Sequence, residues 1–463
     1  MQYLFCLVPC ATLTTAPHLE NMTAMTRPES VARAIAARLR DAGYTAYLAG
    51  GCVRDRLLGR EPQDFDVATD APAARVQELF ARTVPVGVQF GVVLVVIEDV
   101  PVEVATFRAD AAYLDGRHPS SVRSGTPEED ARRRDFTING MFIDPVTDGV
   151  IDYVDGRADL RAGIIRAIGD PAARLHEDRL RMLRAVRFAA RLDFAIEPAT
   201  FAAIQAGAQS ITDIAWERIG DEVVRMLTDS AAGSARRSFE LLDATGLLAP
   251  ILPEVAALHG VEQSADYHPE GDVFVHTLGL LEQLTHPSET LALGALLHDV
   301  AKPRCAQRTE TRITFYGHCE LGAEMAVAVC QRLRCSRETW ERVEYLVRNH
   351  LRLLNAPEMR LSTLKRFLAA DGIDELLELA RLDAMASNKD LFYYNFCKEK
   401  LEALGAAAIK PAPLLRGRDL LDLGFVPGPQ FSRILTAVGE AQLDGTLTTR
   451  DEALAWVRER FAA

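Results

Sequence analysis

The chain has 463 residues, of which 48% are hydrophobic and 25% charged, and its formal net charge is −13. This length predicts about three domains, and the composition is typical of a soluble protein. The acidic balance excludes a uniformly basic RNA-binding protein, so any contact with RNA must come from local basic patches.

Cysteine spacing and hydropathy narrow the class of protein. The eight cysteines include no C-x-x-C pair, which favours free thiols in a reducing cytoplasm over a disulfide or zinc framework. No apolar run is long enough to span a membrane. Residues 1–23 are mildly apolar but lack the basic start of a signal peptide, so we predict that residues 1–28 form a disordered extension.

The first predicted elements lead into a glycine turn. Apolar residues at helical spacing predict a helix from Ser30 to Gly43, and Tyr44–Ala49 is predicted to be a strand. The pair Gly50 and Gly51 follows, and glycines allow backbone N–H groups to approach a phosphate closely. Arg54, just beyond, offers a planar fork for phosphate oxygens.

Two aspartates come after a polar turn. Side chains alternate across a strand, so Asp64 and Asp66, on either side of Phe65, are predicted to share one face. Paired carboxylates are ligands for hard cations such as Mg²⁺, which usually keeps substrate phosphates in its coordination shell. We therefore predict a nucleoside triphosphate held by two metal ions, with chemistry at the α-phosphate.

The next residues extend a small sheet. Ala71–Phe80 is predicted to be a helix, and Gly91–Ile97 and Val102–Arg108 are predicted to be neighbouring strands. Glu103 is either a third acidic group near the metals or a polar residue on an exposed strand face. Arg108 is a candidate phosphate contact.

Three arginines then precede a short apolar strand. Residues 109–129 form a polar loop that is expected either to be mobile or to close over a primer. The run from Arg132 to Asn139 follows, and by itself such a run is typical of a solvated surface. It leads into a predicted strand at Met141–Ile143, and Ile164–Ile168 is predicted to be the last strand of the head, which ends near residue 168.

Glu177–Arg191 carries the second strong pattern. On a predicted helix, four arginines fall within one roughly 120° sector, with Asp178 at its margin; they are Arg181, Arg184, Arg187 and Arg191. Met182, Val186 and Ala189 face the other way and are expected to pack. An arginine face is usually solvated or ion-paired, but few carboxylates lie three or four residues away to pair with these arginines.

Histidines and aspartates recur in the last half of the chain, which is rich in Ala and Leu and predicted to be helical. They follow the order H…HD…H…H…D, on or beside separate helices: His276, His298, Asp299, His318, His350 and Asp383. A single helical histidine is usually structural, so the prediction of a metal site depends on the whole order. Imidazole and carboxylate together suit Ni, Mn, Zn or Fe rather than Mg alone.

Taken together, the motifs of the first half resemble the class II nucleotidyltransferases, that is, the bacterial CCA-adding enzymes and poly(A) polymerases. The resemblance rests on the glycine turn with its two aspartates, on R-R-D-F-T-I-N at Arg133–Asn139, and on E-D-x-x-R followed by L-R-x-x-R-F-A within Glu177–Ala189. It covers roughly residues 45–230. Gly140 stands where the family usually has Ala.

This resemblance implies a role for each matching residue. Asp64 and Asp66 are the catalytic, metal-binding pair. Nucleotide binding is implied for Gly50, Gly51, Arg54, Arg134, Asp135, Asn139, Asp178, Arg181, Arg184 and Arg187. Asp178 and Arg181 would read the base, because a carboxylate accepts from the exocyclic amine of C or A and an arginine donates to a ring nitrogen or carbonyl. Arg184 and Arg187 would support them or bind phosphate.

The later series resembles the HD phosphohydrolase domain, which some bacterial CCA-adding enzymes carry after the neck. The implied metal ligands are His276, His298, Asp299 and Asp383, while His318 and His350 would hold a second metal or bind phosphate. Gly424–Pro429 resembles the start of the C-terminal module, where such a segment begins a helix near the tRNA elbow. A simple turn between two helices is the alternative.

The expected fold is α+β, with a small mixed-sheet nucleotidyltransferase head followed by an all-α neck, an HD domain and a helical tail. The expected boundaries are 29–168, 169–258, 259–390 and 391–463.

The expected function is template-independent addition of CCA to tRNA 3′ ends. The enzyme would use CTP, ATP and Mg²⁺ in the cytoplasm and release pyrophosphate, with a second divalent metal and a phosphohydrolase activity in the HD domain. Neither DNA nor a membrane is an expected partner, and the protein would be a monomer or a homodimer. One alternative is a poly(A) polymerase or an enzyme that adds only CC or only A. An alternative from another class is an HD phosphohydrolase whose head only binds RNA.

Overall fold

The computed structural model describes residues 26–62, 64–87, 91–110, 122–229, 231–264, 271–309, 313–409 and 411–461. Three segments discussed above lie outside these residues: positions 1–25 of the predicted extension, the centre of the loop at 109–129, and the acidic, aromatic segment Asp266–Glu270 before His276.

Helices dominate the chain after the first third. The strands are β1 (Ala46–Ala49), β2 (Asp66–Thr69), β3 (Thr83–Gly87), β4 (Val92–Ile97), β5 (Val100–Thr106), β6 (Arg108–Asp110), β7 (Val122–Ser124), β8 (Met141–Ile143), β9 (Val150–Asp152), β10 (Ile164–Ile165), β11 (Ala195–Ile196), β12 (Gln307–Arg308) and β13 (Ile313–Thr314). Short 3₁₀ helices occupy Thr137–Asn139, Ala208–Asp213 and Arg352–Glu358.

The α-helices, in chain order, are α1 (Arg27–Asp41), α2 (Gly51–Leu57), α3 (Ala73–Leu79), α4 (Pro127–Arg133), α5 (Gly156–Ala162), α6 (Pro171–Glu177), α7 (Leu180–Leu192), α8 (Pro198–Gly207), α9 (Trp216–Thr228), α10 (Ser234–Ala244), α11 (Leu248–Ile251), α12 (Pro253–Ala256), α13 (Val273–Glu282), α14 (Glu289–Leu297), α15 (Lys302–Cys305), α16 (His318–Arg332), α17 (Arg337–Asn349), α18 (Leu361–Leu368), α19 (Ile373–Ala386), α20 (Phe392–Ile409), α21 (Gly417–Asp422), α22 (Pro429–Leu443) and α23 (Arg450–Phe461).

The chain forms two compact units. Among the described residues, the first unit comprises 26–109, 122–133 and 139–154, and the second comprises the remainder. The first unit contains one mixed, seven-stranded sheet of order β3-β4-β5-β2-β1-β8-β9. Strands β2 and β5 are parallel, and the other neighbours in this sheet are antiparallel.

Local interactions explain where helix α1 begins and how the sheet packs. Helix α1 starts at Arg27, ahead of the predicted Ser30, because the Thr26 side chain accepts a hydrogen bond from the Glu29 N–H. Phe107 and Phe142 pack edge to face, with ring centroids 5.9 Å apart, and both are fully buried. They belong to the apolar cluster that also includes Ala49 and Ala68 of the central strands.

The second unit is helical and differs from the sequence prediction in two places. The predicted helix Glu177–Arg191 is two helices, α6 and α7, because Asp178 has an extended backbone and its carboxylate accepts from the Leu180 N–H. The predicted last strand of the head is the two-residue β10, which pairs in parallel with β11 and not with the seven-stranded sheet.

The predicted fold class is confirmed: a mixed sheet at the N-terminal end is followed by helices that include the predicted HD elements. The segment Gly424–Pro429 leads from α21 into α22, which fits both interpretations given above. Within the part of the chain that the structure describes, no helix is both long enough and apolar enough to cross a bilayer.

Candidate functional site

The predicted metal carboxylates lie at the start of β2. Asp66 is the first residue of that strand and is directly opposite Glu103 in the parallel register of β2 and β5. Paired residues in adjacent strands point to the same face, so both carboxylates lie on one side of the sheet. Asp64 precedes the strand and is exposed, as is Glu103, while Phe65 between the aspartates is buried.

These residues have the chemistry of a site for a hard divalent cation. Exposed or half-exposed carboxylates at a strand end offer oxygen ligands and leave room for substrate phosphates. The register brings Glu103 beside Asp66, which supports the first of the two interpretations of Glu103. The carboxylate oxygens of Asp64, Asp66 and Glu103 do not all lie within 4.8 Å of one another. The two ligand clusters among the described residues of the second unit do meet this distance.

The glycine turn and Arg54 lie between β1 and β2 along the chain. Gly50 has a φ of 78°, a conformation that favours glycine, and α2 begins at Gly51. Arg54 is only 4% exposed. Its Nη1 donates to Asn139 Oδ1 at 2.8 Å, and its Nε donates to Asp55 Oδ1 at 2.8 Å. The guanidinium therefore holds Asn139 in place, a contact that links two of the predicted motifs within the first unit.

The arginine run is divided between different surroundings. Arg132 pairs with Glu128, and Arg133 pairs with Asp130, both at helical spacing on α4. Arg134 follows the helix and is half-buried. Asp135 is buried, and its Oδ1 accepts from the Phe136 N–H. Arg108 is half-buried, and its backbone N–H faces Asp130.

The expectation that few of the arginines of Glu177–Arg191 are paired with carboxylates is wrong. Each has one, and the closest N···O distances are 2.7 Å for Arg181–Glu177, 2.7 Å for Arg184–Asp135, 2.6 Å for Arg187–Glu222 and 3.4 Å for Arg191–Asp229. Three of the four partners come from distant segments of the chain, where i±4 spacing cannot reveal them. Arg181 and Arg187 are also buried, so the four arginines do not form one exposed face.

The environment of Asp178 suits a fixed hydrogen-bond acceptor. Its Oδ2 accepts from Arg218 Nη2 at 2.9 Å, and its Oδ1 accepts from the Leu180 N–H at 3.2 Å. Arg181 Nη1 donates to Glu177 and to the Arg174 carbonyl. Arg218 was not among the predicted site residues, and its hydrogen bond orients Asp178. Glu222 was not predicted as a partner of Arg187, and its carboxylate neutralises the Arg187 guanidinium. Burial lowers the pKa of Arg187.

The six predicted HD residues come together from five segments of the second unit. His276 is on α13, His298 and Asp299 follow α14, His318 begins α16, His350 caps α17 and Asp383 is on α19. His276 Nε2 is 3.1 Å from Asp383 Oδ1, and His298 Nε2 is 3.0 Å from Asp299 Oδ2. Asp299 Oδ1 faces the other pair, at 3.5 Å from His318 Nε2 and 3.8 Å from His350 Nε2.

Backbone hydrogen bonds orient three of these imidazoles. The Nδ1 atoms of His298, His318 and His350 lie 2.9, 2.7 and 2.7 Å from the carbonyls of Ala295, Phe315 and Val347. Because only an N–H can donate to a carbonyl, these contacts assign the proton to Nδ1 and leave an acceptor lone pair on Nε2. This is the usual arrangement around metal-binding histidines.

The cluster therefore directs acceptors at one another. His298 Nε2 faces a carboxylate oxygen at 3.0 Å, and His318 Nε2 faces His350 Nε2 at 3.4 Å. Two acceptors at such distances repel each other unless a shared cation, or a second proton on one imidazole, lies between them. The donor set and its orientation thus fit a divalent metal.

Electrostatics in the cluster favour its ligand forms. Burial opposes ionisation of Asp299, but His298 and the ammonium of Lys302, 2.6 Å away, outweigh it and hold the pKa of Asp299 well below its usual value. Burial lowers the pKa of His350 to about 4 and also lowers that of His318, so both imidazoles are neutral at pH 7. Burial likewise opposes ionisation of Asp383, but His276 keeps its pKa low.

Sequence reasoning missed three residues at this cluster. Lys302 is buried, and its Nζ donates to Gln263 Oε1 at 2.6 Å as well as contacting Asp299. Cys319 Sγ is 3.7 Å from His318 Nε2. The spacing of Lys302 from Asp299 was visible in sequence, but Gln263 comes from a distant segment. Cys319 was grouped with the free thiols, and the described cysteines are indeed unpaired.

Comparisons with known families show which domains the chain resembles. Three family profiles match: the poly A polymerase head domain at residues 46–166, the probable RNA and SrmB-binding site of polymerase A at 193–258, and the HD domain at 272–385. These matches confirm the resemblance drawn from the sequence. The chain therefore carries regions that match a head domain, an RNA-binding region and an HD domain, in that order.

Particular relatives within that family are CCA-adding enzymes. The chain is 45% identical over 202 residues to the CCA-adding enzyme of Limosilactobacillus fermentum, covering 43% of this chain and 50% of the relative. It is 39% identical over 233 residues to that of Lactobacillus johnsonii, covering 50% and 56%. The chain thus spans about half the length of the curated relatives that it matches.

A solved structure extends the similarity over nearly the whole chain. The Bacillus stearothermophilus CCA-adding enzyme, crystallised in complex with CTP, is 28% identical and superimposes with a TM-score of 0.71. The similarity covers 94% of this chain and 98% of that one.

Proposed function

We propose that this protein adds CCA to the 3′ end of tRNA, using CTP and ATP and releasing pyrophosphate. The observation that carries the proposal is the pair of opposed carboxylates, Asp66 and Glu103, beside exposed Asp64 in a domain that matches the poly A polymerase head. The likeness to CCA-adding enzymes supports the choice of product, and the CTP complex of the Bacillus stearothermophilus relative supports the choice of nucleotide.

In this mechanism Asp64 and Asp66 hold divalent metal, with Glu103 as an additional oxygen donor. Mg²⁺ suits an all-oxygen site that shares its ligands with a triphosphate. Metal bound there would promote deprotonation of the primer hydroxyl and stabilise charge on the leaving pyrophosphate. The chain's own contribution is to align the carboxylates, since their register on β2 and β5 sets the spacing of Asp66 and Glu103.

The glycine turn and the arginine motifs bind and position nucleotide in this proposal. Backbone N–H groups at Gly50 and Gly51 approach the triphosphate, and Arg54 keeps Asn139 oriented. Arg134 contacts the nucleotide. Arg184, whose Nε donates to Asp135 at 2.8 Å and which remains about one-third exposed, ties Asp135 to α7. Arg187 supports α7 from within, through Glu222.

Base selection falls to Asp178 and Arg181. The Asp178 carboxylate accepts from the exocyclic amine that C and A share, and Arg181 donates to the adjacent ring nitrogen. G and U present a ring N–H at that position, which faces a donor and is disfavoured. Because Arg218 and Glu177 fix the two side chains, one arrangement of residues selects both permitted bases without a template.

The HD cluster supports a second candidate activity, the metal-dependent hydrolysis of a phosphate ester. The imidazoles and two carboxylates provide ligands for Ni, Mn, Zn or Fe. Asp299, with one oxygen toward each histidine pair, is placed to serve two ions, so His318 and His350 belong with the metal ligands in this proposal.

The deciding experiment is a nucleotide-addition assay with each labelled nucleotide in turn. The primers are tRNA transcripts that end before CCA, after C and after CC, with an unrelated RNA as the control. CTP and then ATP incorporation that stops after CCA on tRNA supports the proposal. Long ATP-only tails on any RNA indicate a poly(A) polymerase, and addition of CC alone or A alone indicates a partial enzyme.

The Asp64→Asn variant tests the assignment of the site. A folded variant with undiminished addition would refute it. If the wild-type protein adds no nucleotide but hydrolyses phosphate esters, the HD domain is the catalytic part and the head only binds RNA. The proposed reaction places the protein in the cytoplasm with tRNA as its partner, without DNA or a membrane. Its state as monomer or homodimer is a matter for sedimentation analysis.

A further inference from the structure

Cys319 lies against one end of the HD cluster. It follows His318 at the start of α16, and its Sγ is 3.7 Å from His318 Nε2. Ligand atoms of His318, Cys319 and His350 all lie within 4.8 Å of one another. The other candidate group, His276, His298 and Asp383, contains no sulfur. The two ends of the cluster therefore differ in ligand chemistry.

The distances at the Cys319 end match those around a tetrahedral ion. Ligands at roughly 2.0–2.3 Å from a tetrahedral Zn²⁺ lie about 3.3–3.8 Å from one another. The separations from His318 Nε2 are 3.4 Å to His350 Nε2, 3.5 Å to Asp299 Oδ1 and 3.7 Å to Cys319 Sγ. His350 Nε2 and Asp299 Oδ1 are 3.8 Å apart. Four of the six separations among these donor atoms thus fall in the range that a single ion requires, and Cys319 Sγ lies within 4.8 Å of His350 Nε2.

We propose that Cys319 is a metal ligand and that it completes, with His318, His350 and Asp299, a four-coordinate Zn²⁺ site in the HD domain. On binding, the thiol loses its proton to solvent, and the thiolate donates its electron pair to the ion. Nitrogen and sulfur ligands favour Zn²⁺ over Mg²⁺ or Mn²⁺ at this position. Through its other oxygen, Asp299 would link this Zn²⁺ site to the second position, whose ligands are the nitrogen and oxygen atoms of His276, His298 and Asp383.

A consequence follows for the chemistry of the HD domain. Four protein ligands fill a tetrahedral site, which leaves no coordination position for an attacking water. The Cys319 position would then be structural, and any hydrolysis would occur at the His276 position. This inference rests on the proposal that the HD cluster binds divalent metal and is independent of nucleotide addition.

Co²⁺ substitution in the full-length, chelator-treated chain tests the ligand assignment. Co²⁺ reports tetrahedral geometry through its visible d–d bands and reports sulfur ligation through a thiolate charge-transfer band in the near ultraviolet. The proposal predicts both bands in the wild type. It predicts loss of the charge-transfer band in Cys319→Ser and retention of both bands in the control Cys335→Ser, a thiol beyond the end of α16.

Zn²⁺ competition adds a second measure. Cys319→Ser should weaken Zn²⁺ binding by at least the roughly tenfold that the loss of even an outer-shell partner costs. Visible bands without a charge-transfer band in the wild type would overturn the thiolate assignment and leave the HD metal site standing. No Co²⁺ uptake at all would overturn both. A charge-transfer band that survives in Cys319→Ser would assign the sulfur to another cysteine.

Discussion

Asp66 and Glu103 are directly opposite each other in the parallel strands β2 and β5, so their carboxylates share one face of the sheet. Glu103→Gln should therefore reduce nucleotide addition by about 10- to 100-fold, the usual effect of removing a residue that supports a metal site. Asp66→Asn should reduce it by on the order of 10²–10³-fold or more, because it removes a proposed direct ligand. Steady-state rates at saturating Mg²⁺ provide the measurement.

The control for these two substitutions is Asp99→Asn. Asp99 lies in the β4–β5 turn, pairs only at the exposed surface with Arg82, and has a positive φ that asparagine tolerates. It should retain full activity. Equal activity of Glu103→Gln and Asp99→Asn would make Glu103 an ordinary exposed strand residue.

Asp178→Asn should alter the choice of nucleotide. The amide can donate as well as accept, so the variant should gain UTP incorporation relative to CTP. The transition-state stabilisation for CTP and ATP, obtained from kcat/KM, should fall by about 1–3 kcal/mol. Competition assays with CTP and UTP on a tRNA primer measure this ratio. A parallel fall for all four nucleotides with an unchanged preference would argue that Asp178 only accepts the Leu180 N–H at the start of α7.

The buried pair of Arg187 and Glu222 should stabilise the second unit rather than bind substrate. Both side chains are less than 10% exposed, and their closest atoms are 2.6 Å apart. Removing one partner leaves the other charge buried without a counter-charge. Arg187→Met and Glu222→Leu should therefore each lower the free energy of unfolding by about 3–5 kcal/mol. The double variant should recover most of that loss in urea unfolding experiments. Additive losses would disprove the coupling.

Glu375 should make stability depend on acid pH. Burial opposes its ionisation, but donors on Ser288, Thr290 and Arg342 outweigh it, so its pKa is below the ordinary 4.5. A depressed pKa in the folded state contributes stability that is complete above about pH 4.5 and is lost as the pH falls through the folded-state value.

Glu375→Gln should therefore cost about 2 kcal/mol at pH 7, and the difference from wild type should shrink below pH 4. Unfolding midpoints between pH 3 and pH 7 test this. Glu378→Gln on the same helix is the control, because it removes only a half-exposed pair with Arg381 and should cost under about 0.5 kcal/mol. A constant difference across the pH range would show that charge at Glu375 is irrelevant.

Gly220 and Gly439 should respond in opposite ways to replacement by alanine. A Cβ at Gly220 in α9 would overlap the Leu333 carbonyl oxygen, whereas one at Gly439 in α22 would meet nothing within 4 Å. Gly220→Ala should cost about 1–3 kcal/mol through overpacking. Gly439→Ala should gain up to about 1 kcal/mol in helix propensity. Thermal unfolding of both variants measures the two changes in stability. Equal changes would contradict the close approach of α9 to the Leu333 carbonyl.

Sequence alone predicted the class of fold, the resemblance to nucleotidyltransferases and the residues that assemble in the HD cluster. The glycine turn, the D-F-D motif and the order H…HD…H…H…D are local or ordered patterns, and such patterns can be recognised without a structure.

Only the tertiary structure decided what each polar side chain contacts. Asp135, Glu222 and Asp229 reach α7 from segments far away in sequence. Helical spacing therefore could not reveal the partners of three of its four arginines. Asp178 broke the predicted helix because a hydrogen bond to its own carboxylate stabilises an extended residue there. Cys319 became a candidate ligand only when α16 and α17 brought His318 and His350 together, since ligand geometry depends on distances in space.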